Sequence, residues 1–148
     1  MKICRSHRAV FILVAVLALA SAGASQTIHE PAKGSVERKV ILDSLRTPIE
    51  RDLNQKLVFA TDHFTVSGNW AFVSGAPRRL GGGRPVYSGT RYKDAIDAGA
   101  FDNNFFALLK RSSGKWRVVK YAIGCTDVCY MDWPRTYHAP RSIFPLGE

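Results

Sequence analysis

The sequence lacks the short motifs that mark the common enzyme and cofactor classes. It has no Gly-x-Ser-x-Gly, no Walker motif, no zinc-type ligand spacing and no serine in a recognisable nucleophile setting. Its aspartates at 94, 97, 102 and 127 lack the close alternation of oxygen ligands found in calcium loops. Turns and helix starts account for them. The sequence therefore predicts no cofactor and no catalytic residue by motif.

The chain also lacks an apolar run long enough to span a bilayer. Its longest run, residues 9–20, follows Lys2, Arg5 and Arg8 and leads to small residues ending at Ala24. This order is typical of a secretory signal peptide, residues 1–24, since a run of that length is too short for a stable anchor. No cysteine follows at a lipoprotein cleavage position. We therefore expect a periplasmic or secreted protein with no transmembrane anchor.

Acidic residues are scarce. The whole chain has 21 lysines and arginines against 12 aspartates and glutamates, and loss of the three signal-peptide cations leaves a net charge of about +6. Such a surplus favours an anionic partner such as a phosphate, a lipid head group, an acidic polysaccharide or an acidic protein. An ordinary soluble surface is the alternative. Export makes nucleic acid the less expected anion.

Cysteine is scarce as well. Cys4 belongs to the signal peptide, which leaves Cys125 and Cys129. An even count in an oxidising compartment predicts a disulfide, and a helical turn between them would place their Cα atoms about 6 Å apart. The spacing also resembles a copper-chaperone motif, with Met131 and His138 nearby as soft ligands. That family needs a thioredoxin-like fold after the motif, for which the remaining sequence is too short, so a copper or thiol redox site is the alternative.

One amphipathic helix is expected after a flexible lead-in at residues 25–34. Ser35 can cap it, and Pro48 interrupts it. Because the apolar stripe continues through Pro48, the pattern predicts one kinked helix rather than two. The stripe consists of Ile41, Leu45, Ile49 and Leu53.

A first hairpin is predicted around the turn Gly68-Asn69, with Ser67 facing Trp70 and Phe64 facing Val73. The apolar residues near the start of its first strand have the opposite parity to Phe64. A bulge near Asp62 would bring both sets onto one face and would curl the sheet.

A second hairpin is predicted from about 104 to 124, turning at residues 112–114. Its strands are apolar on both faces, which predicts central strands covered on both sides. Val119, Tyr121 and Ile123 are assigned to one face, and Trp116, Val118 and Ala122 to the other. The stretch after Cys129 contains prolines and aromatics and is expected to form an irregular cover.

These elements predict one α+β domain over residues 35–148, with an N-terminal helix packed on a curved, mainly antiparallel sheet of about four strands. Cystatin-like folds, including the nuclear-transport-factor-like cones, share this design, although architecture alone implies no activity. The core expected between helix and sheet consists of Ile41, Leu45, Phe64, Val66 and Val119.

A series of short motifs extends over nearly all of the chain after the signal peptide. It comprises residues 70–72, Tyr92, 99–102, 107–109, 116–119, 123–124, 126–128, Trp133, 139–140 and 143–145. This series resembles a family of small exported bacterial single-domain proteins of uncharacterised function. The resemblance supports export and a single domain, and it implies no activity.

Two features are candidates for function. The first is His63, which would lie on the sheet face of Trp70 and Phe72 and could act as an acid–base group if that face forms a pocket. The second is the segment 77–93, here called the basic segment, with five cations within 16 residues and a triple glycine. Arginine forks pair well with phosphate or carboxylate, and tyrosines add flat contact area. Its candidate binding residues are Arg78, Arg79, Arg84, Arg91, Lys93, Tyr87 and Tyr92.

The leading interpretation is therefore an exported, non-enzymatic module that uses the basic segment or the sheet face to bind an anionic or protein partner. A solvated loop is the plain alternative for the basic segment. A small cone-type enzyme with His63 in its pocket is the second hypothesis, and a copper or redox site at Cys125 and Cys129 is the third. A deep pocket at His63 would favour the enzyme, and a filled sheet face beside an exposed basic segment would favour binding.

Overall fold

The computed structural model describes residues 27–147, so the predicted signal peptide lies outside the described residues. The described chain forms a five-stranded antiparallel sheet in chain order, with one long helix. The strands are β1 (Ile28–His29), β2 (Leu57–Ser67), β3 (Trp70–Arg79), β4 (Phe105–Ser112) and β5 (Lys115–Ile123). The helices are α1 (Val36–Leu53), α2 (Lys93–Asp97) and α3 (Trp133–Tyr137). The α+β class is confirmed, and the short β1 brings the strand number from four to five.

Helix α1 begins and continues as its sequence predicts. Ser35 caps it by accepting a 3.2 Å hydrogen bond from the backbone N–H of Arg38. The helix passes through Pro48 without a break, so the prediction of one helix is confirmed. It ends at Asn54, whose left-handed φ of 51° closes the last turn. The apolar stripe is fully buried, with no member more than 2% exposed.

Arg38 fastens the lead-in to the domain, a role that the sequence did not indicate. Its guanidinium donates to the Pro31 carbonyl at 2.9 Å, to Thr61 Oγ1 at 2.6 Å and to Glu30 Oε1 at 3.2 Å. It also lies over the Phe64 ring, 4.5 Å from the centroid. An arginine that is only 8% exposed needs such partners, because burial of an unpaired charge is costly. The contacts hold residues 27–31 beside β2, where β1 pairs.

The hairpin of β2 and β3 has the predicted register and the predicted bulge. Ser67 pairs with Trp70 and Phe64 with Val73, and the register shifts between Thr61 and His63. Asp62 is therefore the extra residue, and the apolar side chains on both sides of it face α1. Gly75 lies opposite Thr61 with a φ of 154°, and a Cβ there would stand 2.0 Å from the Ala60 carbonyl oxygen. This close approach accounts for the glycine.

The prediction of central strands is confirmed for β4, which lies between β3 and β5, but the predictions for β5 were wrong. Strand β5 lies at the edge of the sheet rather than at its centre. A second bulge makes Val119 the extra residue, since Leu109 pairs with Val118 and Leu108 with Lys120. The alternation of side chains restarts after the bulge, so Trp116 and Val118 join Tyr121 and Ile123 on the helix side. Val119 is 37% exposed, and its predicted place in the core was wrong as well.

The second face of the sheet, opposite α1, is covered by residues 130–147, here called the C-terminal segment. A separate apolar cluster fills the space between them, and Phe72 is its fully buried centre. The ring of Phe72 lies 4.7 Å from that of Phe144 and 5.0 Å from that of Tyr130. The predicted cover is confirmed, with α3 and a short 3-10 turn (Arg141–Ile143) inside it. The sheet therefore has an apolar layer on each face.

Truncation of the buried stripe should be far more costly than truncation of the exposed side of α1. We expect Leu45→Ala, at a fully buried position, to lower the free energy of unfolding by about 2–5 kcal/mol. Val40→Ala, on the same helix but 41% exposed, is the control and should change it by about 0.5 kcal/mol or less. Urea denaturation of both variants tests this. Equal losses would contradict the placement of the stripe against the sheet.

Candidate functional site

The basic segment begins in β3 and extends into the loop that follows. Arg78 pairs with Val58 and Arg79 with Leu57, so the two arginines project from opposite faces at the end of the sheet. The chain then turns tightly, with Gly82 N–H bonded to the Arg79 carbonyl at 2.9 Å and Arg79 N–H to the Gly83 carbonyl at 3.2 Å. Gly82 and Gly83 have φ values of 88° and 78°, which glycine adopts without strain. The triple glycine thus forms a defined turn.

The five cations of the basic segment divide into a paired group and an unpaired group. Arg91 donates to Asp52 at 2.7 Å, and Lys93 is ion-paired with Asp97. Arg78, Arg79 and Arg84 are exposed, and none of the ion pairs formed within residues 27–147 includes them. Three guanidinium groups at one end of the sheet are therefore available to an external anion.

A groove lies beside the glycine turn. It has a volume of about 470 Å³ and is lined by Gln55, Lys56, Arg79, Leu80, Gly81 and Gly82. A neighbouring depression of about 480 Å³ shares Gln55 and Lys56 and reaches Arg51 at the end of α1. A third, of about 400 Å³, includes Arg84 and Lys93. Each of the three is bordered by cationic side chains. The first has no carboxylate in its lining, Glu50 in the second is ion-paired with Lys56, and Asp97 in the third is ion-paired with Lys93.

The two tyrosines of the basic segment are held by contacts within the chain. Tyr87 is 8% exposed and donates to Asn103 Oδ1 at 2.7 Å. Tyr92 donates to Asp52 Oδ2 at 2.5 Å, and both rings pack in T-shaped or tilted contact with Phe101. Burial raises the pKa of Tyr87 to about 12, and burial together with the Asp52 carboxylate raises the pKa of Tyr92 further. Their hydroxyls thus anchor the segment.

Asp52 joins the basic segment to the rest of the domain, and sequence reasoning did not select it. Its Oδ2 accepts hydrogen bonds from Arg91, Tyr92 and, at 3.2 Å, Tyr121 of β5. Burial, followed by the charge of Asp52, raises the pKa of Tyr121. Asp52 adjoins the helical stripe at Leu53, but nothing in its sequence neighbourhood indicates partners that are 39 to 69 positions away.

His63 lies on the second face of the sheet, as its parity predicts. Its Nε2 is 2.9 Å from the Ile143 carbonyl oxygen and 2.9 Å from Thr65 Oγ1, and its ring meets the edge of Phe72. The imidazole is therefore in contact with the C-terminal segment. Its neighbour Asp62 accepts a 2.6 Å hydrogen bond from Ser74. Catalysis at His63 stays a prediction.

Cys125 and Cys129 form the expected disulfide, with their Cα atoms 6.2 Å apart. The bridge lies between β5 and the C-terminal segment, and Asn104 donates to the Cys125 carbonyl at 2.7 Å. Within residues 27–147, no group of three or more histidines, cysteines or acidic residues is arranged to hold a metal ion. The copper or redox alternative stays a prediction.

Comparisons with protein-family models, characterised proteins and solved structures find no match to this chain. None of the helices formed by residues 27–147 combines the length and the apolar character needed to cross a bilayer.

Alkaline pH should destabilise the domain through its buried tyrosines. Because the pKa of Tyr87 is raised above the usual value of about 10, its contribution to stability is complete below pH 10 and is lost as the pH rises towards about 12. We expect the free energy of unfolding of Tyr87→Phe to fall less steeply than that of the wild type between pH 10 and 12. Chemical denaturation at several pH values measures this. Identical slopes would contradict the burial of the Tyr87 hydroxyl.

The disulfide should contribute little to stability because the loop that it closes is short. We expect the chain from residue 25 to contain no free thiol when purified under oxidising conditions. Replacement of Cys125 and Cys129 together by Ser should lower the free energy of unfolding by about 2 kcal/mol or less. Thiol titration and urea denaturation measure these effects. Stoichiometric copper binding by the reduced protein, lost in the Ser variant, would favour the metal alternative.

Proposed function

We propose that this protein is an exported, non-enzymatic binding module that holds an anionic partner at the basic segment. The observation that carries the proposal is the exposure of Arg78, Arg79 and Arg84 without an ion pair among the described residues. Arginine recognises phosphate, sulfate and carboxylate groups through two parallel hydrogen bonds, so three such side chains suit a ligand with several anionic groups.

The contacts that fix the basic segment to the domain are consistent with a binding surface. Arg91 and Tyr92 are fixed to Asp52, and Tyr87 is fixed to Asn103. These contacts hold the C-terminal half of the segment, and β3 holds its beginning, while the unpaired arginines project from the sheet end and the loop. A positioned cationic surface loses less entropy on binding than a disordered one. The groove beside Arg79 and Lys56 gives an anionic group a place between them.

The filled second face of the sheet supports a binding function rather than a catalytic one. The C-terminal segment packs over Phe72, and the imidazole of His63 contacts the Ile143 carbonyl group. A filled sheet face beside an exposed basic segment is the combination that favours a binding module over a cone-type enzyme.

Loss of the three unpaired arginines should remove most of the affinity for polyanions. We expect Arg78→Ser, Arg79→Ser and Arg84→Ser together to weaken binding to heparin by about tenfold or more, since three exposed charge pairs are lost. Wild-type binding should weaken steeply with added salt because exposed charges are screened. Isothermal titration at low and physiological ionic strength, with heparin and with anionic phospholipid vesicles in separate arms, measures both effects and identifies the preferred source.

The control variant removes the same number of positive charges outside the basic segment. Lys39, Arg135 and Arg141 are exposed, and the first two are already paired with Asp43 and Asp132. Their replacement by Ser should leave most of the affinity intact. If both triple variants lose binding to the same extent, net charge alone is responsible and the basic segment is not a site. Circular dichroism of each variant verifies that the fold is retained.

A further inference from the structure

A second cationic surface lies at the other end of the sheet from the basic segment. Lys110 of β4 and Lys115, Arg117 and Lys120 of β5 are exposed, and none of the ion pairs formed by residues 27–147 includes them. Arg79 lies nine positions after Trp70 in β3, and Trp70 pairs with Lys110, so the two surfaces are about 30 Å apart. They can therefore be tested separately.

The four cations share one face. Lys110 pairs directly with Arg117, Ser112 with Lys115, and Leu108 with Lys120. Cross-strand partners project to the same side, and Leu108 belongs to the apolar cluster of the second face. The row therefore lies on that face, beside the C-terminal segment. Like charges directly opposite each other in a sheet are destabilising, and the Lys110–Arg117 pair is of this kind. Lys110 has partial compensation, because its Nζ lies 4.6 Å from the centroid of the Trp70 ring.

β5 is an edge strand, hydrogen-bonded to a neighbouring strand on one side only. Arg111 N–H donates to the Asn69 carbonyl, so the polar groups of Arg111 point towards β3 and those of Lys110 point towards β5. By the same alternation Lys110 and Arg117 exchange hydrogen bonds, while the N–H groups of Trp116 and Val118 point away from β4. No strand within residues 27–147 lies beyond β5. This edge is a template for one further strand.

We propose that the outer edge of β5 binds an extended acidic segment of a partner protein as a sixth strand. An acidic residue opposite Lys115 or Arg117 would lie on the same face as these cations and relieve the repulsion between Arg117 and Lys110. The backbone of the segment would pair with the free N–H groups of Trp116 and Val118. A second copy of this chain does not suit the edge, because its own β5 would bring like charges together. The cations that prevent self-pairing thus select a strand of opposite charge.

A short synthetic peptide that alternates Glu and Thr, about ten residues long, is the probe. We expect it to bind in fluorescence anisotropy at low salt and to slow amide hydrogen exchange at Trp116 and Val118. A peptide that alternates Glu and Pro has the same charge but lacks half of the backbone donors, so it should bind about tenfold more weakly. Equal binding of the two peptides, or unchanged exchange at both amides, would overturn strand addition and leave charge attraction alone. An absence of binding would also overturn it.

Variants separate this surface from the basic segment. Replacement of Lys115, Arg117 and Lys120 by Ser should weaken peptide binding about tenfold, since the opposite-charge cross-strand pairs at Lys115 and Arg117 and the nearby charge of Lys120 are lost. Replacement of Arg78, Arg79 and Arg84 by Ser should leave peptide binding unchanged while heparin binding falls. If the second variant loses peptide binding and the first does not, the peptide binds at the basic segment and the β5 proposal is wrong. If the peptide binds but heparin does not, only the proposal for the basic segment is overturned.

Discussion

The apolar layer beneath α1 depends on two β-bulges. In β2 the extra residue Asp62 reverses the alternation, so that Leu57 and Phe64 both face the helix. In β5 the extra residue Val119 has the same effect on Trp116 and Tyr121. Without these insertions, half of each strand would turn its apolar side chains to the other face. The helix could then not bury a continuous core, and the loop anchored on that core would lose its support.

The second apolar layer covers the face of the sheet that α1 leaves open. Phe72 lies at its centre, among Tyr130, Phe144 and Trp133 of the C-terminal segment. The disulfide joins the end of β5 to the start of this segment. With both faces covered, the ends of the sheet and its edges are the parts of the sheet that a partner can reach. Both proposed binding surfaces lie there, which is where loops and edge strands leave polar groups available.

The positions and pairing of the cations indicate more about binding than the net charge does. Several cations are paired within the chain: Arg38 holds the lead-in, Arg91 binds Asp52, and Lys93 binds Asp97. Among residues 27–147, two groups of neighbouring exposed cations take no part in an ion pair: Arg78, Arg79 and Arg84 around the glycine turn, and Lys110, Lys115, Arg117 and Lys120 on the hairpin of β4 and β5. The network at Asp52 explains how one part of the basic segment can be fixed while another part is free. It ties Arg91 and Tyr92 to α1 and, through Tyr121, to β5.

The sequence by itself determined the elements whose signals are local. The helical stripe with its Ser35 cap, the turn at Gly68 and the bulge at Asp62 follow from periodicity and turn chemistry, and the spacing of Cys125 and Cys129 predicts their bridge. Tertiary structure decided the position of β5 in the sheet, the exposure of Val119 and the pairing of each cation. These features depend on partners far apart in the chain, such as Asp52 and Tyr121. Composition shows how many charges exist, but only the folded chain determines which charges neutralise one another and which remain for a ligand, because Coulomb attraction depends on distance in space and not on separation in sequence.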